Sequence, residues 1–342
     1  MSQITIRDVA REASVSIATV SAVTNEADWV SASTRTRVQQ VIDRIGYRPN
    51  RAARSLKIRR ADAIGVIVSD LTNPFFTEVV RGLQHRLRER GLSLLLADAN
   101  HDPSLGADQL DQLVERRVDG LVLLGDAVPE AALRDYLGKA ARVPVVATAR
   151  SVAIKGVTTI GVDSERAGYE ATRHLVERGY TRIGHVSGPE AGSGSTTQGR
   201  VDRLAGWRRA LAEAGLQDDL LAPANWRIGG GHAAAADLLS RPDPPDALFC
   251  ANDMMAIGAM TAAREAGLSL PRDLAVVGFD DVPVAALVDP PLTTMAMPKG
   301  DLGRAAADHI VDLAHLDEAT SAPAPSPFVA RLVVRGSTPV RG

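Results

Sequence analysis

Cysteine is almost absent from this chain of 342 residues, and so are the features of a membrane protein. The single cysteine, Cys250, cannot form a disulfide within one chain, and its apolar surroundings are typical of a buried strand. No apolar run approaches the ~20 residues of a membrane-spanning helix. The amino terminus carries charged residues where a signal peptide needs an unbroken apolar segment. We therefore expect a cytoplasmic protein that contacts no membrane.

Enzyme motifs are also missing. The seven histidines are scattered along the sequence, no cysteine pair could hold zinc, and no Gly-x-Ser-x-Gly elbow is present. A glycine-rich loop at residues 188–200 lacks the Gly-Lys-Ser/Thr ending of a phosphate-binding loop. Asp280 and Asp281 are a candidate catalytic pair, although neighbours in a turn need not point the same way. We expect no enzyme activity, no metal site and no cofactor.

The charge is distributed unevenly between the two ends of the chain. Residues 1–60 contain 11 Lys or Arg and 5 Asp or Glu, whereas the remaining residues contain 28 and 36. The net charge of -2 therefore combines a basic amino-terminal segment with an acidic body. This asymmetry predicts a polyanionic partner for the amino-terminal segment alone, with an affinity that falls steeply as salt rises.

Apolar residues at helical spacing form two short stripes in residues 5–25, separated by Ser14-Val15-Ser16. Two short helices joined by a tight turn form a helix-turn-helix, whose second helix can enter a major groove. Ser16 is placed to cap that helix. A third helix is expected over residues 31–45 and ends at Gly46. The alternative is a small three-helix domain that binds a protein.

From residue 64 onward, strand-like and helix-like segments alternate, which indicates parallel sheets covered by helices on both faces. Four of the helical segments end at a glycine, a residue that can close a helix, at positions 91, 179, 215 and 267. The alternation is about twice as long as one doubly wound unit, so two α/β lobes are expected. The predicted strands are Ile64–Ser69, Ser93–Asp98, Gly120–Leu124, Val145–Thr148, Ile183–Ser187, Ala247–Cys250 and Ala275–Phe279.

Nearly the whole chain resembles the lactose-repressor (LacI/GalR) family of bacterial transcription regulators. The resemblance begins with residues 5–25, including Thr19-Val20-Ser21 and Asn25, and with residues 47–56. Further matching segments are residues 64–76, 203–207, 251–256, 277–281, 292–294 and 331–335. The fold that it implies is α/β: an all-α helix-turn-helix headpiece, then a two-lobed, periplasmic-binding-protein-like effector domain of doubly wound parallel sheets.

The resemblance also implies domain boundaries. The headpiece would span residues 1–48, a hinge helix and linker 49–61, and the effector and dimerisation domain 62–342. The chain would cross between the lobes three times, so that lobe one is about 62–162 plus 292–324, and lobe two about 163–291 plus 325–342. Relatives that form tetramers carry an additional leucine-heptad helix at the carboxyl end. None is present here, so a homodimer is expected.

By resemblance, the start of the second helix touches base edges, and here those residues are Ile17, Ala18 and Ala22. Most relatives carry Arg at the position of Ala22, and the loss of a bidentate guanine contact removes ~1–3 kcal/mol of discrimination at that base pair. Ile17 and Ala18 offer only apolar contact, such as to thymine methyls. Capping or exposure is the alternative for two phosphate candidates, Thr5 and Ser21. The expected phosphate contacts are Thr5, Ser16, Thr19, Ser21, Asn25 and Thr34.

The segment 50–57 has little apolar surface and is too short to be helical alone. The resemblance implies that two such segments, one from each subunit, lie in the minor groove, where paired Leu56 side chains wedge into the central base step. Asn50, Ala53 and Arg54 would line that groove. The alternative is that Leu56 packs on the effector lobe. Two-fold symmetry requires a nearly palindromic operator.

In open parallel sheets, ligands bind beyond the carboxyl ends of the strands. Aromatic and polar residues at that edge, supported by the resemblance, predict a site for a sugar, or less readily a nucleobase. Core packing is the alternative for Phe75 and Phe76, and capping for Asp280. The candidate effector contacts are Asn73, Phe75, Phe76, Arg150, Asp163, Arg203, Trp226, Asn252 and Asp280.

These observations predict a homodimeric, sugar-responsive, sequence-specific DNA-binding regulator, a repressor of carbohydrate-related genes. A purine-type corepressor is a variant of this interpretation. The competing interpretations are a soluble solute-binding protein and a sugar-modifying enzyme with the same body fold. Both leave the basic headpiece unexplained.

Overall fold

The computed structural model describes residues 4–24, 27–47, 61–139, 143–149, 154–190, 198–315 and 327–341. The chain divides into two compact units, Met1–Ala61 and Asp62–Gly342. Residues 48–60, which include almost all of the predicted hinge, lie outside the described residues.

Three short helices form the amino-terminal unit. They are α1 (Ile6–Glu12), α2 (Ile17–Thr24) and α3 (Ala32–Ile45). Val9, Val20 and Val38, one from each helix, are completely buried and form the centre of the unit's core. Ser14 has a φ of 54° and makes the tight turn between α1 and α2. The predicted helix-turn-helix is confirmed.

Short hydroxyl side chains cap the second and third helices. Ser16 Oγ accepts a hydrogen bond from the backbone N–H of Thr19 at 3.0 Å, and Ser31 Oγ accepts one from Thr34 at 3.3 Å. Each bond satisfies a backbone donor that the first turn of a helix leaves without a partner. Helix α3 ends at Gly46, whose φ of 71° lies in the left-handed region.

The first lobe of the larger unit is a five-stranded parallel sheet with the strand order β2-β1-β3-β4-β5. Its strands are β1 (Ala63–Val68), β2 (Ser93–Asp98), β3 (Gly120–Leu124), β4 (Val145–Thr148) and β5 (Val157–Ile160). Its helices are α4 (Pro74–Glu89), α5 (Pro103–Glu115), α6 (Glu130–Gly138) and, from late in the chain, α11 (Lys299–His315). The central strands β1, β3 and β4 are buried along their whole length, as expected for strands covered on both faces.

The second lobe is a six-stranded sheet with the order β11-β10-β9-β8-β6-β7, in which only the β10–β11 pair is antiparallel among the described strands. Its strands are β6 (Ile183–Ser187), β7 (Leu221–Pro223), β8 (Ala247–Cys250), β9 (Ala275–Asp280), β10 (Thr293–Ala296) and β11 (Arg331–Val333). Its helices are α7 (Ser164–Glu177), α8 (Gln198–Glu213), α9 (Ile228–Leu239) and α10 (Asp253–Glu265). The predicted fold class is confirmed.

One lobe boundary differs from the expectation. We assigned residues 292–324 to lobe one, but Thr293–Ala296 pairs in register with β9 and belongs to the sheet of lobe two. The chain passes to lobe one only between Ala296 and the start of α11 at Lys299. The physical reason is that Thr293 and Thr294 are buried and hydrogen-bonded within lobe two, where Thr294 Oγ1 donates to Asp253 Oδ1 at 2.5 Å.

Glycines allow three helix pairs to approach closely. An added Cβ on Gly206 of α8 would overlap the backbone of α7, and one on Gly303 of α11 would overlap α4. Gly258 of α10 faces α9 in the same way. Because each pair is packed backbone to backbone, the helices that carry the strand-end loops are held at fixed positions.

Candidate functional site

The candidate DNA-contacting residues of the headpiece lie mostly at its surface. Ile17 is 46% exposed, and Ala18 is also exposed. Ile17 therefore does not contribute to the headpiece core, although isoleucine is an apolar residue. Thr5 and Ser16 are exposed, and Thr19, Ser21 and Thr34 are half-buried. Thr5 also begins α1, because its N–H and hydroxyl both donate to Asp8. The candidates Asn25, Asn50, Ala53, Arg54 and Leu56 lie outside the described residues.

Ala22 is the exception among the base-contacting candidates. Its side chain is only 8% exposed and packs in the core with Val20 and Val23. A side chain of one carbon at the flank of α2 cannot extend past the core, as a long polar one could. Ala22 is therefore part of the headpiece core, and its contact with a base stays a prediction.

The sequence analysis did not single out Trp29, the most exposed large apolar side chain of the headpiece at 71%. It lies in the loop between α2 and α3, which is anchored by a hydrogen bond from Arg35 Nη2 to the Ala27 carbonyl at 2.8 Å. The sequence signal that could have indicated an exposed side chain here is an aromatic residue next to Asp28 in a polar loop.

A cleft lies between the two lobes of the larger unit, at the carboxyl ends of the strands, and its free space together with the open solvent at its mouth is about 490 Å³. We call this cleft the cavity. It is bounded by loops that follow β1, β2, β3, β4, β7 and β8, by the end of β9, and by residues of α4 and α8. The lining residues are Ser69, Asn73, Phe75, Phe76, His101, Gly125, Asp126, Ala149, Arg203, Trp226, Asn252 and Asp280.

Aromatic rings form the apolar walls of the cavity. Phe75 and Phe76 meet edge to face with 5.1 Å between their ring centroids, and both are buried. Trp226 has a left-handed φ of 66° and stands against Gly188, where an added Cβ would overlap its ring. Gly188 thus provides the space in which the indole is held.

Two asparagines at the rim are already engaged in holding the backbone. Asn73 caps α4 by accepting a hydrogen bond from the Phe75 N–H at 3.0 Å. Asn252 caps α10 through Met255 at 2.8 Å, and its amide donates to the Trp226 carbonyl at 2.9 Å. Asn252 therefore fixes the position of Trp226 as well as lining the cavity.

Arg203 and Asp280 supply opposite charges in the cavity. Arg203 Nη1 donates to the Ala251 carbonyl at 2.8 Å, and the guanidinium lies 4.0 Å from the centroid of the Phe279 ring. Burial raises the pKa of Asp280 well above its ordinary value, although Arg203 and Lys299 act in the opposite direction. Lys299 Nζ donates to the Asp280 and Asp281 carbonyls, both at 2.7 Å, and so holds this turn. The Arg203 guanidinium can donate hydrogen bonds to neighbouring hydroxyl groups, and the Asp280 carboxyl group can accept them.

Most of the predicted effector contacts converge on this cavity, but Asp163 does not. Asp163 caps α7, where Oδ1 accepts a hydrogen bond from the Arg166 N–H at 2.9 Å, and it borders a separate crevice with Arg166 and Phe328. It follows β5, the edge strand of its sheet, and is not among the residues that line the cavity. Arg150 lies outside the described residues.

Five lining residues were missed by the sequence analysis: Ser69, His101, Gly125, Asp126 and Ala149. Gly125, Asp126 and Ala149 directly follow predicted strands, and Ser69 is the last residue of one, so a stricter use of the strand-end rule would have found all four. His101 comes after the left-handed residue Asn100, whose φ is 50°. Burial lowers the pKa of His101, which favours the neutral imidazole.

Two family models match the chain. The model for bacterial regulatory proteins of the lacI family matches residues 5–50. The model for periplasmic binding proteins and the sugar binding domain of the LacI family matches residues 61–331.

The chain belongs to the LacI family. The Escherichia coli (strain K12) ribose operon repressor is 37% identical over 309 residues, which cover 90% of this chain and 92% of the repressor. The HTH-type transcriptional repressor CytR of the same organism is 34% identical over 312 residues, covering 90% and 89%. Both relatives are more than 30% identical to this chain over most of its length.

Solved structures agree with this membership. The lac repressor dimer bound to operator and the anti-inducer ONPF has a TM-score of 0.86 at 28% identity, covering 99% of this chain and 100% of that one. A LacI family regulator from Enterococcus faecium with bound ribose has a TM-score of 0.71 at 28% identity, covering 81% and 99%.

This LacI-family protein is a ligand-responsive, DNA-binding transcriptional regulator. The match of residues 5–50 accounts for the basic amino-terminal segment that a solute-binding protein would not need. Its relatives are repressors. In the described part of the chain, no helix is long and apolar enough to cross a membrane.

Proposed function

We propose that the protein is a homodimeric repressor of carbohydrate-related genes and that a neutral, ribose-like sugar controls it. The observation that carries this proposal is the Arg203–Asp280 pair between the aromatic walls of Phe75, Phe76 and Trp226. Rings stack on the apolar face of a sugar, and charged groups exchange hydrogen bonds with its hydroxyls. A ribose operon repressor among the relatives and a LacI family structure with bound ribose support a ribose-like effector.

The charges in the cavity favour an uncharged ligand. Asp126 contributes a carboxylate and Arg203 contributes one guanidinium. Burial raises the pKa of Asp280 and lowers the pKa of His101, so that the neutral form of each is favoured. A phosphate group would therefore enter a site with no excess of positive charge. Like charges that are brought together at an interface cost several kcal/mol.

We expect D-ribose to stabilise the intact protein against heat and D-ribose 5-phosphate not to do so. At about 100 times its dissociation constant, a ligand adds about 2.7 kcal/mol to the free energy of unfolding. A thermal-shift screen that includes hexoses, polyols, nucleosides and hypoxanthine measures this. Stabilisation by hypoxanthine alone would favour a purine-type corepressor, and stabilisation by the phosphate ester alone would contradict the charge argument.

Replacing Gly188 with alanine should weaken D-ribose binding by about tenfold, because the added methyl displaces the Trp226 ring and aromatic packing is worth about 0.5–1.5 kcal/mol. Gly229→Ala is the matched control, since a Cβ there meets nothing within 4 Å. Isothermal titration of the three proteins measures the effect. Equal loss of affinity in both variants would mean that Trp226 is not a ligand contact.

At the DNA, we propose that Ile17 and Ala18 make apolar contacts with base edges. Ile17 projects from the first turn of α2 without contributing to the core. The phosphate-positioning roles belong to Thr5, Ser16, Thr19, Ser21, Asn25 and Thr34, and the minor-groove roles to Asn50, Ala53, Arg54 and Leu56. With no polar reader at position 22, the half-site should tolerate changes at the corresponding base pair.

Closure of the cleft around the sugar would shift the first lobe, from which the hinge and headpiece of each subunit extend. We propose that this shift separates the paired hinges and releases a nearly palindromic operator, so that the sugar acts as an inducer. Thermodynamic linkage makes this coupling reciprocal. Operator DNA must therefore change the affinity for sugar by the same factor by which sugar changes the affinity for DNA.

A further inference from the structure

A charged contact joins the two lobes at the mouth of the cleft, outside the residues that line the cavity. Arg227 follows Trp226 in lobe two, and its guanidinium reaches lobe one. Its Nε lies 3.1 Å from Asp70 Oδ2, and its Nη2 donates to Asn100 Oδ1 at 2.6 Å. We call these three residues the clasp.

The lobe-one half of the clasp is held in place by other hydrogen bonds. The Asp70 side chain is only 2% exposed, and Oδ1 accepts from the N–H of Thr72 at 2.8 Å and from its hydroxyl at 2.5 Å. Asn100 has a left-handed φ of 50°, and its N–H donates to Asp98 Oδ1 at 3.0 Å. Although burial alone would raise the pKa of Asp70, the hydrogen bonds from Thr72 and Arg227 hold it below its ordinary value.

The lobe-two half is positioned as well. The Arg227 N–H donates to Asn225 Oδ1 at 3.2 Å, and Arg227 is the residue immediately before α9. Because the carboxylate and the backbone are already fixed, pairing costs conformational entropy mainly in the arginine side chain. Many surface ion pairs contribute little because both partners are mobile, whereas here one partner is buried and immobile.

The clasp is continuous with the cavity on both sides. His101 lines the cavity, and its Nε2 lies 3.6 Å from Asp70 Oδ2. Trp226, the neighbour of Arg227, forms a cavity wall. Other ion pairs of the body, such as Arg86 with Asp308, join two helices of one lobe. The clasp instead spans the cleft, at a rim where the lobes must separate to admit a ligand.

We propose that the pairing of Arg227 with Asp70 and Asn100 holds the two lobes together and thereby sets the affinity of the cavity for its effector. Arg227 is a positioning residue in this scheme, because it touches the ligand only through Trp226 and the closed arrangement. The affinity part of the proposal rests on the proposed function, whereas the closure part can be tested without any ligand.

Closure can be followed by acrylamide quenching of Trp226 in the full chain. Trp207 is completely buried, so a Trp29→Phe background leaves Trp226 as the accessible indole. Asp70→Asn keeps the size of the side chain and an oxygen for Thr72 but removes the charge that pairs with Arg227. Arg227→Ala removes the other partner. Arg134→Ala is the control, because Arg134 pairs with Glu130 within one helix of lobe one.

We expect the quenching constant of Trp226 to rise in Asp70→Asn and in Arg227→Ala, to rise no further in the double variant, and to stay unchanged in Arg134→Ala. Non-additivity is the mark of two groups that act through one interaction. Titration with D-ribose should show affinity weakened by about fivefold, since the ligand must then pay for closing the cleft.

Unchanged quenching in both clasp variants, or an equal rise in Arg134→Ala, would overturn the proposal. Additive effects in the double variant would also overturn it, because the two side chains would then act separately. If quenching rises as expected but D-ribose binds to none of the proteins, the clasp stands and the choice of effector is wrong.

Discussion

A chain that starts at Asp62 is expected to bind operator duplex at least about a thousandfold more weakly than the full chain, which is the lower end of the usual gap between specific and non-specific binding. The deleted residues include all three headpiece helices and 11 of the 39 Lys and Arg residues. The remaining body carries 28 basic and 36 acidic residues and so repels a polyanion. Fluorescence anisotropy with a duplex selected from a random pool measures both affinities.

The truncated chain is a fair comparison because residues 62–342 form a compact unit with both sheets intact. Its melting transition, and any stabilisation by sugar, should persist. The logarithm of the full chain's affinity should also fall linearly with the logarithm of salt concentration, because bound cations are released from the DNA. A truncated chain that retains operator affinity would place DNA recognition in the body and contradict the assignment of the headpiece.

Arg203→Met is expected to weaken effector binding by about 10- to 100-fold, since a hydrogen bond to a charged group is worth about 1.5–3 kcal/mol. The substitution keeps most of the apolar stem that packs near Phe279 but removes the group that pairs with a sugar hydroxyl. It also removes the positive charge that does most to lower the pKa of the buried Asp280. Operator binding should remain, and sugar should no longer release the DNA.

Arg208→Met, an exposed position on the same helix, is the control for Arg203→Met. Calorimetric titration with D-ribose and anisotropy with the operator duplex measure the two functions separately. If Arg203→Met binds D-ribose as tightly as the unaltered protein, the cavity around Arg203 is not the effector site.

The elements that could be predicted from the sequence are those whose signals are local. Strands buried on both faces are continuous apolar runs, and Gly120–Leu124, Val145–Thr148, Ile183–Ser187 and Ala247–Cys250 are found with the predicted bounds. The partly exposed edge strand Ser93–Asp98 also has the predicted bounds. The carboxyl-edge rule then located a cavity that includes Phe75 and Asp280, and the family resemblance added Arg203 to it.

What escaped prediction depends on tertiary position. Asp163 and Asp280 were both expected just after strands, but β5 lies at the edge of its sheet whereas β9 lies inside its sheet. Strand order cannot be read from one sequence. The burial of Ala22 depends on how α2 packs in the headpiece core. Arg227 and Asp70 are 157 residues apart, and nothing local marks either of them as part of a pair.

The central claim, that one chain couples a sugar cavity to a DNA-binding headpiece, is tested most directly by measuring both affinities of the full-length protein. Operator affinity is determined with and without saturating D-ribose, and D-ribose affinity with and without saturating operator duplex. The account predicts that each ligand weakens the other by the same factor, about 5- to 150-fold. Operator affinity that stays unchanged while D-ribose saturates the cavity would contradict it.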